Sequence, residues 1–219
     1  MLSIAQVTDD LIRKSPFLEE ALSENLINVS SLARRLKPDV EKRLGKQVQE
    51  GAIVMAINRR PERMSFKITK DIRDFMVNLG DVIVRSDLQD YTFKNSPGLS
   101  GCTRRLMEET IAGKEVFCTI SQGVFETTLV VSNQLAPAIE EIYNGETVVA
   151  RKSKLSSITL RLPESNTEVS GIYYFLLKNL AWAGINVCEV ISTSNEVTFV
   201  VSEKDVHKAF SLLMDMKLP

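Results

Sequence analysis

The feature that most constrains the fold of this chain is an internal duplication in its second half. The segment Val130-Val131-Ser132 returns 70 residues later as Val200-Val201-Ser202. Further matched pairs are Cys118 with Cys188 (70 apart), Arg85 with Arg151 (66 apart) and Ile120 with Ile191 (71 apart). A period near 70 residues indicates two copies of one supersecondary unit, the second with a longer loop.

The second copy shows a βαββα pattern. Gly184 is a stop signal for the first helix, and a four-residue polar stretch, Ser192–Asn195, has hairpin length. The predicted elements are a strand over Ser157–Pro163, a helix over Thr167–Ala183, strands over Gly184–Ile191 and Glu196–Val201, and a helix over Glu203–Met216. Before each copy, Val82–Leu88 and Val148–Leu155 predict a strand, a polar turn and a second strand.

These residues resemble a known family. Gly184-Ile185-Asn186-Val187, the hairpin after it and Val197–Asp205 are similar to the tandem ACT region of aspartokinases, and so is Ile120-Ser121-Gln122-Gly123. The resemblance covers roughly residues 80–216. It implies two ferredoxin-like ACT units, 81–145 and 146–219, which lend strands to each other. ACT units often bind amino acids, so the resemblance implies a regulatory module.

The first 64 residues predict an all-helical domain of helix-turn-helix-like (winged-helix-like) type. Ser30 is a suitable N-cap for a helix with Leu32, Ala33 and Leu36 on its buried stripe, and Lys37-Pro38-Asp39 ends that helix. A connector helix is expected within 65–80. The fold class is therefore α+β, with a helical domain over 1–64 followed by the two βαββα units.

Basic residues are in excess between Asn28 and Met64, where nine stand against four acidic ones. Such an excess suits contacts with phosphates, and the alternative is a solvated helical face. Binding to DNA would fall steeply with salt, and salt-insensitive or absent binding would exclude it. The candidate residues are Arg34, Arg35, Lys42, Arg43, Lys46, Arg59 and Arg60.

Composition argues against several classes of function. The net charge is −1, no apolar run approaches a membrane span, and the N-terminus lacks a signal-peptide pattern, so a cytoplasmic protein is expected. Three unpaired cysteines and the single His207 predict no metal and no cofactor, with Cys118 and Cys188 as small core residues at equivalent strand positions. Because catalytic constellations and the Lys-Phe-Gly-Gly motif of aspartokinases are missing, we expect a non-enzymatic protein.

The best candidate ligand site is the loop before the first helix of the first copy. Pro97 and Gly98 at a helix start leave backbone N–H groups that favour a carboxylate, although a simple helix cap would have the same sequence. The equivalent loop of the second copy, Pro163–Glu168, is acidic and disfavours a carboxylate. By resemblance, the candidate binding residues are Asn95, Ser96, Pro97, Gly98, Leu99, Val116, Phe117, Ile120, Ser121 and Gln122.

The predicted helix Thr167–Ala183 is apolar almost all round, whereas a helix on an open sheet needs one apolar stripe. This predicts a second partner, such as another copy of the chain in a homodimer. The sequence thus predicts a regulatory protein that dimerises and senses a small amino acid. The alternatives are a partner subunit of an amino-acid biosynthetic kinase and a DNA-binding regulator that acts through the helical domain.

Overall fold

A computed structural model describes residues 2–60, 71–111 and 116–217, without the side chains of residues 16, 23 and 111. The chain divides into two compact units, Met1–Arg73 and Asp74–Pro219. We call them the helical unit and the sheet unit. The first part of the predicted connector helix, residues 65–70, lies outside the described residues. Residues 71–77 are helical (α5), and Ile72, Phe75 and Met76 are buried.

Within residues 2–60, the helical unit packs four helices around one apolar core. Its helices are α1 (Ile4–Arg13), α2 (Pro16–Ser23), α3 (Val29–Leu44) and α4 (Glu50–Asn58). Ser3 and Gln6 form a reciprocal capping box at the start of α1. The core consists of Val7, Ile12, Leu32, Ala33, Leu36, Val40, Val48, Ile53 and Ile57.

The predicted break at Pro38 is wrong, because α3 runs through it from Val29 to Leu44. Pro38 is exposed, while Leu32, Leu36 and Val40 continue one buried stripe at four-residue spacing. Burial of this stripe outweighs the local cost of the proline. The N-cap is Asn28 rather than Ser30, since the Asn28 side chain accepts a hydrogen bond from the Ser31 amide at 3.0 Å.

The sheet unit consists of strands and helices in alternation. In chain order the described elements are β1 (Val82–Lys94), α6 (Leu99–Ile111), β2 (Cys118–Gln122), β3 (Glu126–Ser132), α7 (Ala136–Ile142), β4 (Val148–Arg161), α8 (Ile172–Trp182), β5 (Val187–Ser192), β6 (Glu196–Ser202) and α9 (Val206–Lys217). These six strands form one antiparallel sheet in the order β2-β3-β1-β4-β6-β5. Three-residue and four-residue 3₁₀ turns precede α7, α8 and α9.

Strands β1 and β4 join the two copies of the repeat. The first half of β1 pairs with the second half of β4, and its second half pairs with both β3 and the first half of β4. The polar turns predicted inside these two segments are wrong. Each is one continuous strand with a single left-handed residue, Asp87 at φ 57° and Lys154 at φ 56°, next to a shift in register.

The two copies share one pairing register. Leu88 lies opposite Ser132 in the first copy as Leu155 lies opposite Ser202 in the second. Two threonine pairs occupy equivalent places across these strands. Their hydroxyl oxygens are 3.2 Å apart for Thr92 and Thr128 and 2.7 Å apart for Thr159 and Thr198. The duplication predicted from sequence is therefore present in the geometry of the sheet.

A bulge in β5 disturbs this equivalence. Cys118 lies opposite Val131, but the residue opposite Val201 is Val187, and the register shifts between Val187 and Glu189. Cys188 therefore sits in the bulge, so its predicted equivalence with Cys118 is wrong. Both thiols are half-buried, Cys118 against the core of the first copy and Cys188 on the other face of the sheet.

Helix α8 starts later than the sequence predicts, at Ile172 instead of Thr167. Residues Glu164–Thr167 form a 3₁₀ turn, and Gly171 before the helix adopts a left-handed φ of 90° that stops a helix from extending upstream. Ile172, Leu176 and Leu180 are its buried side chains. No helix in the described ranges is long and apolar enough to span a membrane.

Candidate functional site

The loop between β1 and α6 is a capped helix start beside a carboxylate. The Ser96 hydroxyl oxygen accepts a hydrogen bond from the Leu99 amide at 3.2 Å and donates one to Glu146 Oε2 at 2.6 Å. A Cβ at Gly98 would lie 2.6 Å from Glu146 Oε1. The helix cap considered from sequence is therefore present, and a carboxylate of the chain itself lies at the predicted carboxylate position.

Asn95 ties this loop to the β2–β3 hairpin. Its side-chain amide donates to the Gly123 carbonyl at 2.8 Å, and its side-chain oxygen accepts from the Thr127 hydroxyl at 2.7 Å. Its backbone amide donates to the Phe125 carbonyl at 2.9 Å. Asn95 is thus a structural anchor that sets the position of Ser96 and Gly98.

The predicted binding residues on β2 and in the two positions before it divide between the two faces of the sheet. Val116 and Ile120 pack against the core of the first copy, whereas Phe117 packs against a cluster of Leu88, Val130, Leu155 and Val200 on the other face. Leu99 is 2% exposed and serves as a core residue. Pro97, Ser121 and Gln122 are exposed.

Sequence reasoning missed Glu146 because its contact with Ser96 joins residues 50 apart in the chain. The only local signal is a carboxylate just before a predicted strand. Glu146 follows Gly145, which has a positive φ of 93°, and its amide donates to the Tyr143 carbonyl. The turn after α7 therefore fixes the backbone position of Glu146.

A charged group lies on the face of the sheet opposite the core of the first copy. Asp90 is 1% exposed, and neither carboxylate oxygen accepts a hydrogen bond from the described residues. Lys152, opposite it in the register, places Nζ 3.6 Å from Asp90 Oδ2. Burial raises the pKa of the Glu189 carboxyl, Asp90 raises it further, and Lys152 lowers it. These three side chains therefore interact electrostatically across the sheet.

The cysteines and the histidine are the remaining side chains that the sequence singles out for possible chemistry. Burial raises the pKa of the Cys118 thiol and is the largest cause of the raised pKa of Cys188, which disfavours a reactive thiolate. His207 is exposed, as its helical spacing predicts. Within residues 2–60, 71–111 and 116–217, no group of three or more His, Cys, Asp or Glu side chains is arranged to hold a metal ion.

The candidate nucleic-acid residues all lie in the helical unit. Arg60 pairs with two carboxylates of the same unit, since its Nε lies 2.6 Å from Asp9 Oδ1 and its Nη2 lies 2.6 Å from Glu19 Oε1. Its contact with DNA stays a prediction. This side chain holds helices together, because both carboxylates belong to α1 and α2. The exposed candidates are Arg34, Arg35, Lys42, Arg43, Lys46 and Arg59. Their contact with DNA stays a prediction.

A polar cleft of about 320 Å³ lies at the end of β4 in the second copy. Its charged lining residues are Asp81, Arg161 and Glu164, and its amides are Asn78 and Asn195. Of these residues, the sequence pattern singles out only the acidic loop Pro163–Glu168. Arg161, the last residue of β4, carries no local signal of a site.

Comparison with solved structures identifies the fold. The regulatory subunit of aspartate kinase from Thermus thermophilus, in its ligand-free form, matches with a TM-score of 0.52 at 11% identity, over 63% of this chain and 97% of that chain. Aspartate kinase from Clostridium acetobutylicum matches with a TM-score of 0.53 at 14% identity, over 64% of this chain and 34% of that enzyme. No protein-family model and no curated protein matches the sequence.

A third solved structure is E. coli aspartokinase III in complex with lysine and aspartate, in its T-state. It matches with a TM-score of 0.50 at 13% identity, over 64% of this chain and 33% of that enzyme. At these identities the likeness shows the fold. The resemblance to the tandem ACT region of aspartokinases is therefore confirmed as a fold, for about two thirds of the chain.

Proposed function

We propose that this chain is a non-enzymatic regulatory protein whose paired ACT-like units bind a small amino acid. The observation that carries the proposal is a tandem regulatory fold with a carboxylate seated at the start of α6. Glu146 lies against Ser96 and Gly98, so this loop accommodates the group that every amino acid carries. The resemblance of Ile120–Gly123 to an aspartokinase ACT segment supports the same site.

In this proposal the carboxylate of the ligand replaces that of Glu146. The backbone amides of Gly98 and Ser100 donate no hydrogen bond to the part of the chain that the structure describes. Together with the Ser96 hydroxyl they are the donors available to a carboxylate at the N-terminus of a 13-residue helix. Ser121 and Gln122, exposed at the end of the edge strand β2, are the polar groups proposed to contact the rest of the ligand.

We expect one or two of the twenty amino acids, at millimolar concentration, to raise the melting temperature of the full chain. A ligand at about a hundred times its Kd stabilises by about 2.7 kcal/mol, which for this length is a shift on the order of 5–11 °C. Ser96→Ala should reduce the shift, because it removes the cap and a donor. Thr110→Ala, which removes a hydroxyl near the other end of the same helix, is the control. The absence of a shift with all twenty amino acids would contradict the proposal.

The outer face of α8 supports self-association. Tyr173, Tyr174 and Trp182 are exposed, and Trp182 is 78% exposed. A helix that already buries one stripe and still presents aromatic side chains to solvent is typical of an interface. We expect sedimentation velocity to show a dimer and Trp182→Asp to shift it to monomer. Phe17→Asp, at an exposed aromatic residue of the helical unit, is the control, and a monomeric wild type would exclude the dimer.

A second candidate function is a separate regulatory subunit for an amino-acid biosynthetic kinase. Its support is the match with a Thermus thermophilus chain that is itself called a regulatory subunit and is covered over 97% of its length. In that case the α8 face contacts the kinase rather than a second copy, and the wild-type chain alone sediments as a monomer. The same sedimentation experiment therefore separates the two functions.

A further inference from the structure

One face of the sheet brings equivalent residues of the two copies into a shared apolar cluster. Its buried members are Leu88 and Val130 of the first copy and Leu155 and Val200 of the second. Leu88 lies opposite Leu155 where β1 and β4 pair, and each lies opposite a serine on the neighbouring strand of its own copy. We call these four residues the seam, because they join the two copies on the face away from the core of the first copy.

Side chains from both edges of the sheet reach the seam. Phe117, next to the edge strand β2, packs against it, and so do Cys188 and Ile191 of the edge strand β5. The four residues of the seam are at most 3% exposed. The sheet therefore curves around the seam, so that its outermost strands help to cover the residues of its central strands.

The two copies differ in the charges that flank the seam. Asp90 lies opposite Val130 in the first copy, whereas Ser157 lies opposite Val200 in the second. Glu189 lies opposite the same Val200 at the bulge in β5, where the first copy has a threonine. Each copy therefore contributes one carboxylate to the seam, at a place where the other copy has a hydroxyl group.

Lys152 is the cation that faces these two carboxylates among the residues that the structure describes. Its Nζ lies 3.6 Å from Asp90 Oδ2. Asp90 raises and Lys152 lowers the pKa of Glu189, although β4 and β6 lie between β1 and β5 in the sheet. The Cys188 thiol is influenced by the same three groups and by Asp205 of the turn before α9. Negative charge is therefore in excess around the seam at neutral pH.

We propose that the seam is a pH-responsive joint between the two copies, in which Glu189 carries surplus negative charge and takes up a proton as the pH falls. Protonation leaves Asp90 and Lys152 as a balanced pair and removes a repulsion between carboxylates of different copies. The folded chain holds this proton more tightly than the unfolded chain, because burial and then Asp90 raise the pKa of Glu189. The joint therefore becomes more stable as the pH falls from that raised pKa toward the ordinary pKa of a glutamate.

Carbon-13 NMR titration of the glutamate carboxyl groups in the full chain tests the proton uptake. Glu189→Gln identifies the signal of Glu189 by its loss. We expect Glu189 to titrate at a higher pH than Glu126 and Glu196, which are exposed at the starts of β3 and β6. Asp90→Ser, which introduces the residue type of the second copy, should lower the midpoint of Glu189. The proposal is overturned if Glu189 titrates together with the two exposed glutamates.

Urea unfolding at pH 7.5 and pH 5.0 tests the joint itself. We expect Glu189→Gln to raise the folding equilibrium constant about twofold or more at pH 7.5, because it removes the repulsion. At pH 5.0 this difference should shrink, since the wild type has taken up the proton. Glu196→Gln, at an exposed carboxylate of β6, is the matched control and should show no such pH-dependent difference. A Glu189→Gln variant that is no more stable at pH 7.5, or is equally stabilised at both pH values, would contradict the joint.

Discussion

Replacement of Phe199 by alanine is expected to lower the free energy of unfolding by about 3–5 kcal/mol. Phe199 is fully buried in β6, opposite Ile158 of β4 and Val190 of β5. Its ring therefore contributes both apolar burial and cross-strand contacts in the second copy. Because the packed strands around it collapse only partly, a cavity remains and adds to the loss.

The measurement is urea unfolding followed by circular dichroism. Phe125→Ala is the matched control, since Phe125 is 80% exposed at the tip of the β2–β3 hairpin. Its free energy of unfolding should stay within about 0.5 kcal/mol of the wild type. Equal losses in the free energy of unfolding for the two variants would show that Phe199 does not lie in a packed core of the sheet unit.

Lys152→Ala is expected to cost about 3 kcal/mol of stability, an unusual amount for a side chain that is about half exposed. The variant would leave the carboxylate of Asp90 buried, with no hydrogen-bond donor and no paired cation among the residues that the structure describes. Replacing both partners at once, as Asp90→Leu with Lys152→Met, should bring the free energy of unfolding back to near the wild-type value or above it. This follows because the desolvation cost of the pair is removed together with its attraction.

Lys94→Ala serves as the control, because Lys94 is exposed on the neighbouring strand. Its effect should lie within about 0.5 kcal/mol. A double variant that is less stable than Lys152→Ala would show that the pair is a net source of stability rather than a buried charge that needs compensation.

The sheet unit could be predicted from the sequence largely because its signals are local. Strand alternation and the stop at Gly184 each depend on neighbouring residues, and the repeat near 70 residues appears when two such local patterns are compared. The left-handed conformations of Asp87 and Lys154 carry no such signal, because neither is the glycine that usually marks this conformation. The sequence therefore predicts a polar turn in each of two segments that are long continuous strands joining the two copies.

The candidate site is harder to predict from the sequence than the sheet unit, because it depends on contacts between residues that are distant in the chain. Glu146 meets Ser96 across 50 residues, and Arg60 meets Asp9 across 51 and Glu19 across 41. No periodicity in the sequence reports such contacts. Similarly, Pro38 predicts a helix break locally, but the buried stripe of α3 decides the outcome through packing.

The most direct test of the regulatory account is equilibrium dialysis of the full chain against an equimolar mixture of the twenty amino acids. Chromatography of the two compartments measures each free and bound amino acid without relying on a change in stability. The account predicts that one or two amino acids accumulate on the protein side, at a ratio of one or two molecules per chain. Equal concentrations of all twenty across the membrane would contradict it.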